Sequence, residues 1–477
     1  MKKTKSKENT GIILIFGFFI VVMAVLSLYK ISLPSVVLFT LALIAFIFLT
    51  VKGLQKPEYV IYALVAYVPF SKILVGDFGG AMSAVNFTNI LTILALVTWT
   101  ISSVSTGSKF YSRTSLDIPL LLFIIFGCLS LVRGAVFFGS NYFIEYLVPL
   151  KRWITPMLLF FIVYNVIKDR EKIKSVLVVM MFVLVIVALM AIKDYIDIGG
   201  SSSLEKSRVG GIAEQPNVLA AFFVYYMFLF AGLFLVYWRK FRYWLLVIPF
   251  LLCFRGIQVT FSRGGYLAFA AAVLAISFFK NKVLFLVIVI MLIIAAVNPV
   301  FLPPGIRYRM SSTFTQDQIY SSSLNENIDK SSATRLDIWK GSLGMIKEHL
   351  LFGVGYGVFP HLIPYYSPGV GERDAHNTYI LIAAEMGILA LLVFLSLLFV
   401  ILKNSYKLYK ITKDHFFKAL ALGFLGSLGG VLMANMFGGR LDSQEVSSYF
   451  WILAALIFRA LYIERQKKKG TKKCLQI

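Results

Sequence analysis

The chain has 477 residues, of which 59% are hydrophobic and 15% are charged, and its formal net charge is +24. Soluble domains are nearer half apolar, so this composition argues against a soluble globular protein. In a soluble chain the positive charge would suggest a nucleic-acid partner, but cytoplasmic loops of membrane proteins also collect Lys and Arg, and we favour that explanation over nucleic-acid binding. The three cysteines, Cys128, Cys253 and Cys474, match neither a zinc site nor a disulfide framework.

The apolar residues are gathered into runs of roughly 17 to 25 residues, the length needed to cross about 30 Å of hydrocarbon. The first run follows the Lys-rich segment 1–10 and continues to Tyr29, which is too long for a signal peptide, so we predict a transmembrane helix there. Fourteen spans are predicted, at 11–29, 32–51, 58–75, 84–104, 116–133, 152–167, 175–192, 216–237, 243–260, 264–279, 283–299, 377–402, 416–437 and 447–463. The predicted fold class is all-α, a polytopic membrane helix bundle of about 12–14 transmembrane helices.

The positions of Lys and Arg between the spans predict the orientation. If the N-terminus is inside, every inner segment is basic, and together these segments hold more than half of the 47 Lys and Arg residues. Since such residues accumulate on the cytoplasmic side, we predict that both termini are cytoplasmic. Two sizeable loops, 193–215 and 300–376, then lie outside.

Three parts are expected along the chain. They are an N-terminal transmembrane bundle at 1–299, one large extracytoplasmic loop at 300–376, and the C-terminal spans with a basic cytoplasmic tail at 377–477. Within the loop, Thr334 and Asp337 have the spacing of a capping box, which predicts a helix start with Arg335 as its first residue. The apolar residues that follow predict an amphipathic helix near 334–348 at the membrane interface.

Four polar features that are distant in sequence fall at the outer ends of predicted spans. They are Arg208 to Gly211, Ser262 to Gly265, Thr334 to Trp339, and Asp374 to Tyr379. Each also has a structural explanation, because arginines at a membrane boundary often snorkel, Pro216 suits a helix start, and a lone His is often structural. Arg255 lies deeper in the ninth span, as either a buried partner or part of the same basic pocket. Their coincidence at one face of the membrane favours a functional site.

Three of the candidate residues, Arg208, Arg263 and Arg335, suit a diphosphate ligand, because planar guanidinium groups bind phosphate through paired hydrogen bonds. Arginine can also replace a metal ion as the clamp on a leaving phosphate. The chain has no Asp-x-Asp pair, the usual metal ligand for sugar nucleotides, so we expect neither a metal nor another cofactor.

His376 is a candidate general base, since neighbouring positive charge favours the neutral imidazole. Three more residues are candidates for a supporting role. Glu385 is a carboxylate inside a predicted span and needs a partner there. Gly264 allows the backbone to approach a ligand closely, and Asn377 directly follows His376.

Three stretches that contain these residues resemble the O-antigen ligase and polysaccharide polymerase superfamily of bacterial envelope enzymes. They are Arg208 to Ala220 (RVGGIAEQPNVLA), Val259 to Ala268 (VTFSRGGYLA), and Arg335 to Leu389, which runs from RLDIWKGSLG to HNTYILIAAEMGIL. The resemblance covers the second half of the chain. It implies a GT-C-like membrane glycosyltransferase whose donor is a glycan on undecaprenyl diphosphate at the outer leaflet.

By the same resemblance, Arg263 and Arg335 hold the diphosphate, and Arg208 is a second, less closely matched cation. His376 removes the proton from an acceptor hydroxyl, which then attacks the anomeric carbon with inversion and without a metal. The implied partners are a lipid-linked oligosaccharide donor, a glycan or glycolipid acceptor and the lipids of a bacterial cytoplasmic membrane. The motifs do not separate a ligase from a polymerase.

A transporter is the alternative from another class, such as a flippase for lipid-linked oligosaccharides. Fourteen spans suit such a fold. A transporter, however, places paired charges near the membrane midplane and has symmetric halves. Here the charges lie at the outer boundary and one large outer loop interrupts any symmetry.

Overall fold

The computed structural model describes residues 35–73, 86–199, 208–303, 306–307, 330–439 and 441–474, apart from the side chains of 35–42, 330 and 469–474. Every regular element in these ranges is helical. The helices are α1 (Ser35–Gln55), α2 (Glu58–Tyr67), α3 (Phe87–Ser105), α4 (Asp117–Phe138), α5 (Ser140–Val166), α6 (Arg170–Asp197), α7 (Pro216–Tyr226), α8 (Phe228–Tyr237), α9 (Val247–Val259), α10 (Arg263–Lys280), α11 (Lys282–Val297), α12 (Lys330–Glu348), α13 (Phe359–Tyr366), α14 (Thr378–Ile411), α15 (His415–Ala434) and α16 (Gln444–Cys474). The predicted first span, 11–29, lies outside the described residues.

Ten helical segments are long and apolar enough to cross a membrane, and three shorter apolar helices accompany them. These thirteen segments correspond to the thirteen predicted spans after the first, so the predicted polytopic membrane helix bundle is confirmed. The largest difference is in the sixth span, where α5 begins at Ser140 rather than at 152. Its first three turns carry exposed polar side chains, including Glu145, which made this stretch resemble a loop in sequence.

Helix α15 packs closely against several neighbouring helices because glycines occupy the contact positions on its surface. A Cβ atom on Gly423 would lie 2.6 Å from the carbonyl oxygen of Phe228, and one on Gly430 would lie 2.5 Å from the Val224 side chain. Small residues permit such close approach of helices in membranes. The end of α15, followed by a single 3₁₀ turn at Asn435–Phe437, is thereby held beside the start of α10.

Helix α14 is broken in its first half at Gly387, which has φ 88° and ψ 171°. A Cβ atom there would lie 2.1 Å from the carbonyl oxygen of Leu351, so only glycine fits. The segment after α12 contacts the break, and the Val354 N–H donates to the Ala384 carbonyl at 2.8 Å while the Ile388 N–H donates to the Leu350 carbonyl at 2.8 Å. These bonds satisfy backbone groups that the break would otherwise leave without partners inside a membrane span.

The end of the bundle opposite to this segment is held by ion pairs. Arg170 at the start of α6 donates to Asp414 just before α15, with Nε–Oδ2 2.6 Å and Nη2–Oδ1 3.3 Å. Lys172 pairs with Glu58 at 3.0 Å. Burial on its own raises the pKa of Asp414, but hydrogen bonds from Arg170 and from the Phe416 N–H outweigh burial and hold that pKa below its ordinary value.

Asp414→Asn is expected to lower the thermal unfolding temperature at neutral pH by a few degrees. Because the folded-state pKa of Asp414 is lowered, the stabilisation is present above its unfolded value of about 3.9 and is lost as the pH falls through the folded value. Unfolding temperatures of the wild type and the variant in detergent should therefore converge in acid. Glu171→Gln is the control, since Glu171 also pairs with Arg170 but is exposed. An equal difference at neutral and acidic pH would contradict the prediction.

Candidate active site

Three arginines that are far apart in sequence line one cleft at the end of the bundle where α7 and α10 begin. The cleft is lined by Arg208, Asn217, Ala221, Ser262, Arg263, Gly264, Gly265, Ser331, Arg335, Ala434 and Phe437. We call it the arginine cleft. The structure thus brings together the three arginines and Gly264, which were separate candidates in the sequence.

Arg208 is anchored beside the cleft by two hydrogen bonds. Its Nε donates to the Thr260 carbonyl at 3.1 Å and its Nη2 donates to Asn217 Oδ1 at 3.0 Å. The same Asn217 oxygen accepts a bond from Ser262 Oγ at 2.8 Å. Asn217 therefore ties the Arg208 loop, the first turn of α7 and the start of α10 into one network.

Arg263 is the first residue of α10, directly after Ser262, whose Oγ caps the helix by accepting the Gly265 N–H at 3.2 Å. The Arg263 guanidinium reaches across to α12, where Nη1 donates to Ser332 Oγ at 3.3 Å. The two glycines after it permit close packing, because a Cβ atom on Gly265 would lie 2.7 Å from Ala220 Cβ. The positive end of α10 is thereby exposed to the cleft, and helix starts of this kind favour bound anions.

The chain is already helical at Lys330, so Arg335 lies at least one turn inside α12 and Thr334 does not start this helix. The capping-box interpretation of Thr334 was therefore wrong, and the start of this helix does not add to the charge of Arg335. The residues before Thr334 are compatible with helix, so α12 extends one turn further towards the N-terminus. That extra turn places Ser331 in the wall of the arginine cleft.

The His376 side chain is about 40% exposed. Its backbone has the left-handed φ of 49°, and Asn377 then caps α14 by accepting the N–H groups of Tyr379 and Ile380. The nitrogen Nδ1 lies 3.9 Å from Asp374 Oδ2. The ring is not among the described side chains that line the arginine cleft.

Trp339 connects the His376 segment to the arginine helix. It lies one turn after Arg335, and its Nε1 donates to the Ala375 carbonyl at 3.0 Å. Its ring also packs against Phe437 in the cleft wall, with ring centroids 6.4 Å apart. The residue that precedes His376 is therefore fixed by the same helix that carries Arg335. The sequence pattern after Arg335 predicts an amphipathic helix but not this indole bond.

Glu385 is buried in α14 and does not line the arginine cleft. Its Oε1 accepts the Phe359 N–H at 3.3 Å, and its backbone carbonyl accepts Ser130 Oγ at 2.7 Å. It therefore holds the segment between α12 and α13 against the bundle. Arg255 is exposed, contacts Gln258 at 3.2 Å and the Tyr195 ring at 5.4 Å, and does not line the cleft, so neither expectation for it was right.

Comparison with known proteins connects this site to a family. Residues 248–395 match the family model Wzy_C, described as O-Antigen ligase, which confirms the resemblance drawn from the motifs. The matched segment contains Arg263, Arg335 and His376, whereas Arg208 precedes it. Among curated proteins, no relative matches the chain.

Within the described residues, no group of three or more His, Cys, Asp or Glu is arranged to hold a metal ion.

Proposed function

From the O-antigen ligase match at residues 248–395, which supports glycan transfer in a membrane, we propose a specific reaction. The chain transfers a glycan from undecaprenyl diphosphate to an acceptor hydroxyl at the outer face of the bacterial cytoplasmic membrane. The observation that supports this most directly is the convergence of Arg208, Arg263 and Arg335 on one cleft at the start of α10.

The arginine cleft suits a diphosphate for two reasons. Guanidinium groups bind phosphate oxygens with paired, charge-assisted hydrogen bonds, and the N-terminus of α10 adds partial positive charge. When the bond between the anomeric carbon and the phosphate oxygen breaks, the lipid diphosphate departs with the bonding electron pair. Arg263 and Arg335 stabilise the negative charge that develops on it, which is the role a metal ion has in other transferases.

His376 is the proposed general base in this reaction. Asp374 Oδ2 lies 3.9 Å from Nδ1 of the ring, and in this proposal Nε2 accepts the proton of the acceptor hydroxyl. The hydroxyl oxygen then attacks the anomeric carbon from the side opposite to the departing diphosphate, so the configuration inverts. Trp339, which holds Ala375, keeps this base at a fixed position relative to the Arg335 helix.

A transfer assay in detergent micelles tests the class of function. The purified full-length chain is mixed with lipid-linked glycan and acceptor extracted from its native membrane, and new glycosidic products are separated by size. We expect products, because micelles remove the two compartments that a flippase needs. A single added unit indicates ligation and a ladder of products indicates polymerisation. No product from chain that still binds undecaprenyl diphosphate would favour the flippase alternative.

A further inference from the structure

A second cavity lies next to the arginine cleft. It is enclosed by a ring of four helices in which α4 contacts α5, α5 contacts α16, α16 contacts α14, and α14 contacts α4. The two cavities are bordered by neighbouring segments of the chain. Phe437 lines the arginine cleft while Asp442 lines the second cavity, and Asp374 and Thr378, which bracket His376 in sequence, also line the second cavity.

The charge of this second cavity is opposite to that of the arginine cleft. Its lining includes two acidic side chains at exposed positions, Asp374 and Asp442, and no Lys or Arg among the described lining residues. Glu385 also lines the cavity but is buried, and its Oε1 accepts the Phe359 N–H at 3.3 Å. A diphosphate would be repelled there. Carboxylates are hydrogen-bond acceptors and match ligands that donate, such as sugar hydroxyls.

Aromatic rings form much of the remaining wall. Trp153, Tyr356 and Trp451 line the cavity, and Tyr146 extends the aromatic surface towards its mouth. The Tyr146 ring stacks on Tyr142 with centroids 4.2 Å apart. These rings are fixed in place, because Tyr142 Oη donates to the Tyr356 carbonyl at 2.7 Å and Tyr146 Oη contacts a ring nitrogen of His361 at 3.2 Å. Rigid aromatic faces with a few convergent polar groups are typical of ligand sites.

We infer that this second cavity binds the acceptor as an uncharged, hydroxyl-rich sugar, with the reacting hydroxyl towards His376. The inference rests on the proposed function and adds the acceptor's class and position. The carboxylates take the sugar hydroxyls and the aromatic rings pack on the apolar faces of the sugar rings. The glycan donor then lies in the basic arginine cleft and the acceptor in the acidic second cavity, on opposite sides of the 374–378 segment. A hydrocarbon chain is the less suitable occupant, because it would desolvate the carboxylates without bonding to them.

Two substitutions test this assignment through the kinetics of transfer. Asp442→Asn keeps the size of the side chain and removes its charge, and Leu381→Trp fills part of the cavity wall. Each is expected to raise the KM for extracted acceptor about tenfold. In Asp442→Asn the cause is the loss of a hydrogen bond to a charged group, and in Leu381→Trp it is the exclusion of the sugar from part of the cavity. The KM for donor and the Kd for undecaprenyl diphosphate should stay within about twofold of wild type.

Leu392→Trp is the matched control for the filling variant, since Leu392 lies on the same helix, is 57% exposed and does not line the cavity. It should transfer glycan like the wild type. Unchanged acceptor KM in folded Asp442→Asn and Leu381→Trp would overturn the inference. Weakened undecaprenyl diphosphate binding in both would also overturn it, because the cavity would then serve the donor.

A labelling experiment tests the cavity without knowledge of the natural acceptor. Leu381→Cys, in a chain with Cys128→Ser and Cys474→Ser, is treated with a methanethiosulfonate that carries neutral glucose or with one that carries a sulfonate; Cys253 is buried. We expect faster labelling by the glucose reagent and loss of transfer, with undecaprenyl diphosphate binding intact. Absence of labelling, or faster labelling by the sulfonate, would refute a neutral-sugar site. If the wild type transfers nothing while these labelling results hold, the proposed reaction fails and the sugar site stands.

Discussion

His376→Asn is expected to lower the rate of glycan transfer by about 10²- to 10⁴-fold, the range for loss of a general base. Asparagine is the informative replacement because His376 has a φ of 49°, and Asn adopts this left-handed conformation more readily than other residues without an ionisable base. The fold and the Asn377 cap should therefore survive. The measurement is single-turnover transfer by purified chain, with binding of undecaprenyl diphosphate measured in parallel.

Binding of the lipid diphosphate should be unchanged in His376→Asn, because His376 does not line the arginine cleft. His349→Ala is the matched control, because it removes an imidazole that directly follows the C-terminal end of α12, outside the 374–378 segment, and it should transfer at the wild-type rate. Transfer by folded His376→Asn within about tenfold of the wild type would remove His376 from the mechanism, since a lost base costs more than that.

Arg263→Ala is expected to weaken undecaprenyl diphosphate binding by about 10- to 100-fold, as expected for the loss of one or two charge-assisted hydrogen bonds. Transfer should fall further, since charge on the leaving group grows as the reaction proceeds. Arg263→Lys should recover only part of the binding, because an ammonium group lacks the planar fork that bonds two oxygens at once. The measurements are equilibrium binding and single-turnover transfer.

Arg255→Ala provides the control for charge, since Arg255 is on the preceding helix and does not line the cleft. It removes one positive charge from the neighbouring helix and should leave binding and transfer unchanged. Equal losses in Arg255→Ala and Arg263→Ala would indicate general electrostatic attraction rather than a defined diphosphate site. Arg335→Ala should resemble Arg263→Ala, because the two guanidinium groups line the same cleft.

Much of the helical architecture could be predicted because the membrane imposes a simple rule on sequence. Each span must be apolar over a fixed length, and thirteen predicted spans have counterparts in the described residues. The start of α12 could not be predicted in the same way. Thr334 and Asp337 have the capping spacing, yet nothing in the preceding turn stops the helix, so it continues upstream to Lys330.

The arginines could be predicted from sequence as site residues because charged residues at the end of an apolar span are easily recognised. Their connections could not, since the bond from Arg208 to Asn217 and the bond from Trp339 to Ala375 depend on how distant segments pack. No sequence pattern indicated the second cavity. Its wall takes residues from five helices and three connecting segments. An apolar residue that lines a cavity looks the same in sequence as one that contacts lipid.

The break at Gly387 bears on how this protein can be engineered. Backbone hydrogen bonds between residues 350–355 and 384–388 fix the region between α12 and α13 to the first turns of α14. In a chimaera that took only residues 300–376 from a related enzyme, the two sides of these backbone hydrogen bonds would come from different proteins. Successful exchange of specificity between such enzymes therefore requires a transplant that carries the first turns of α14, through Gly387, along with the loop.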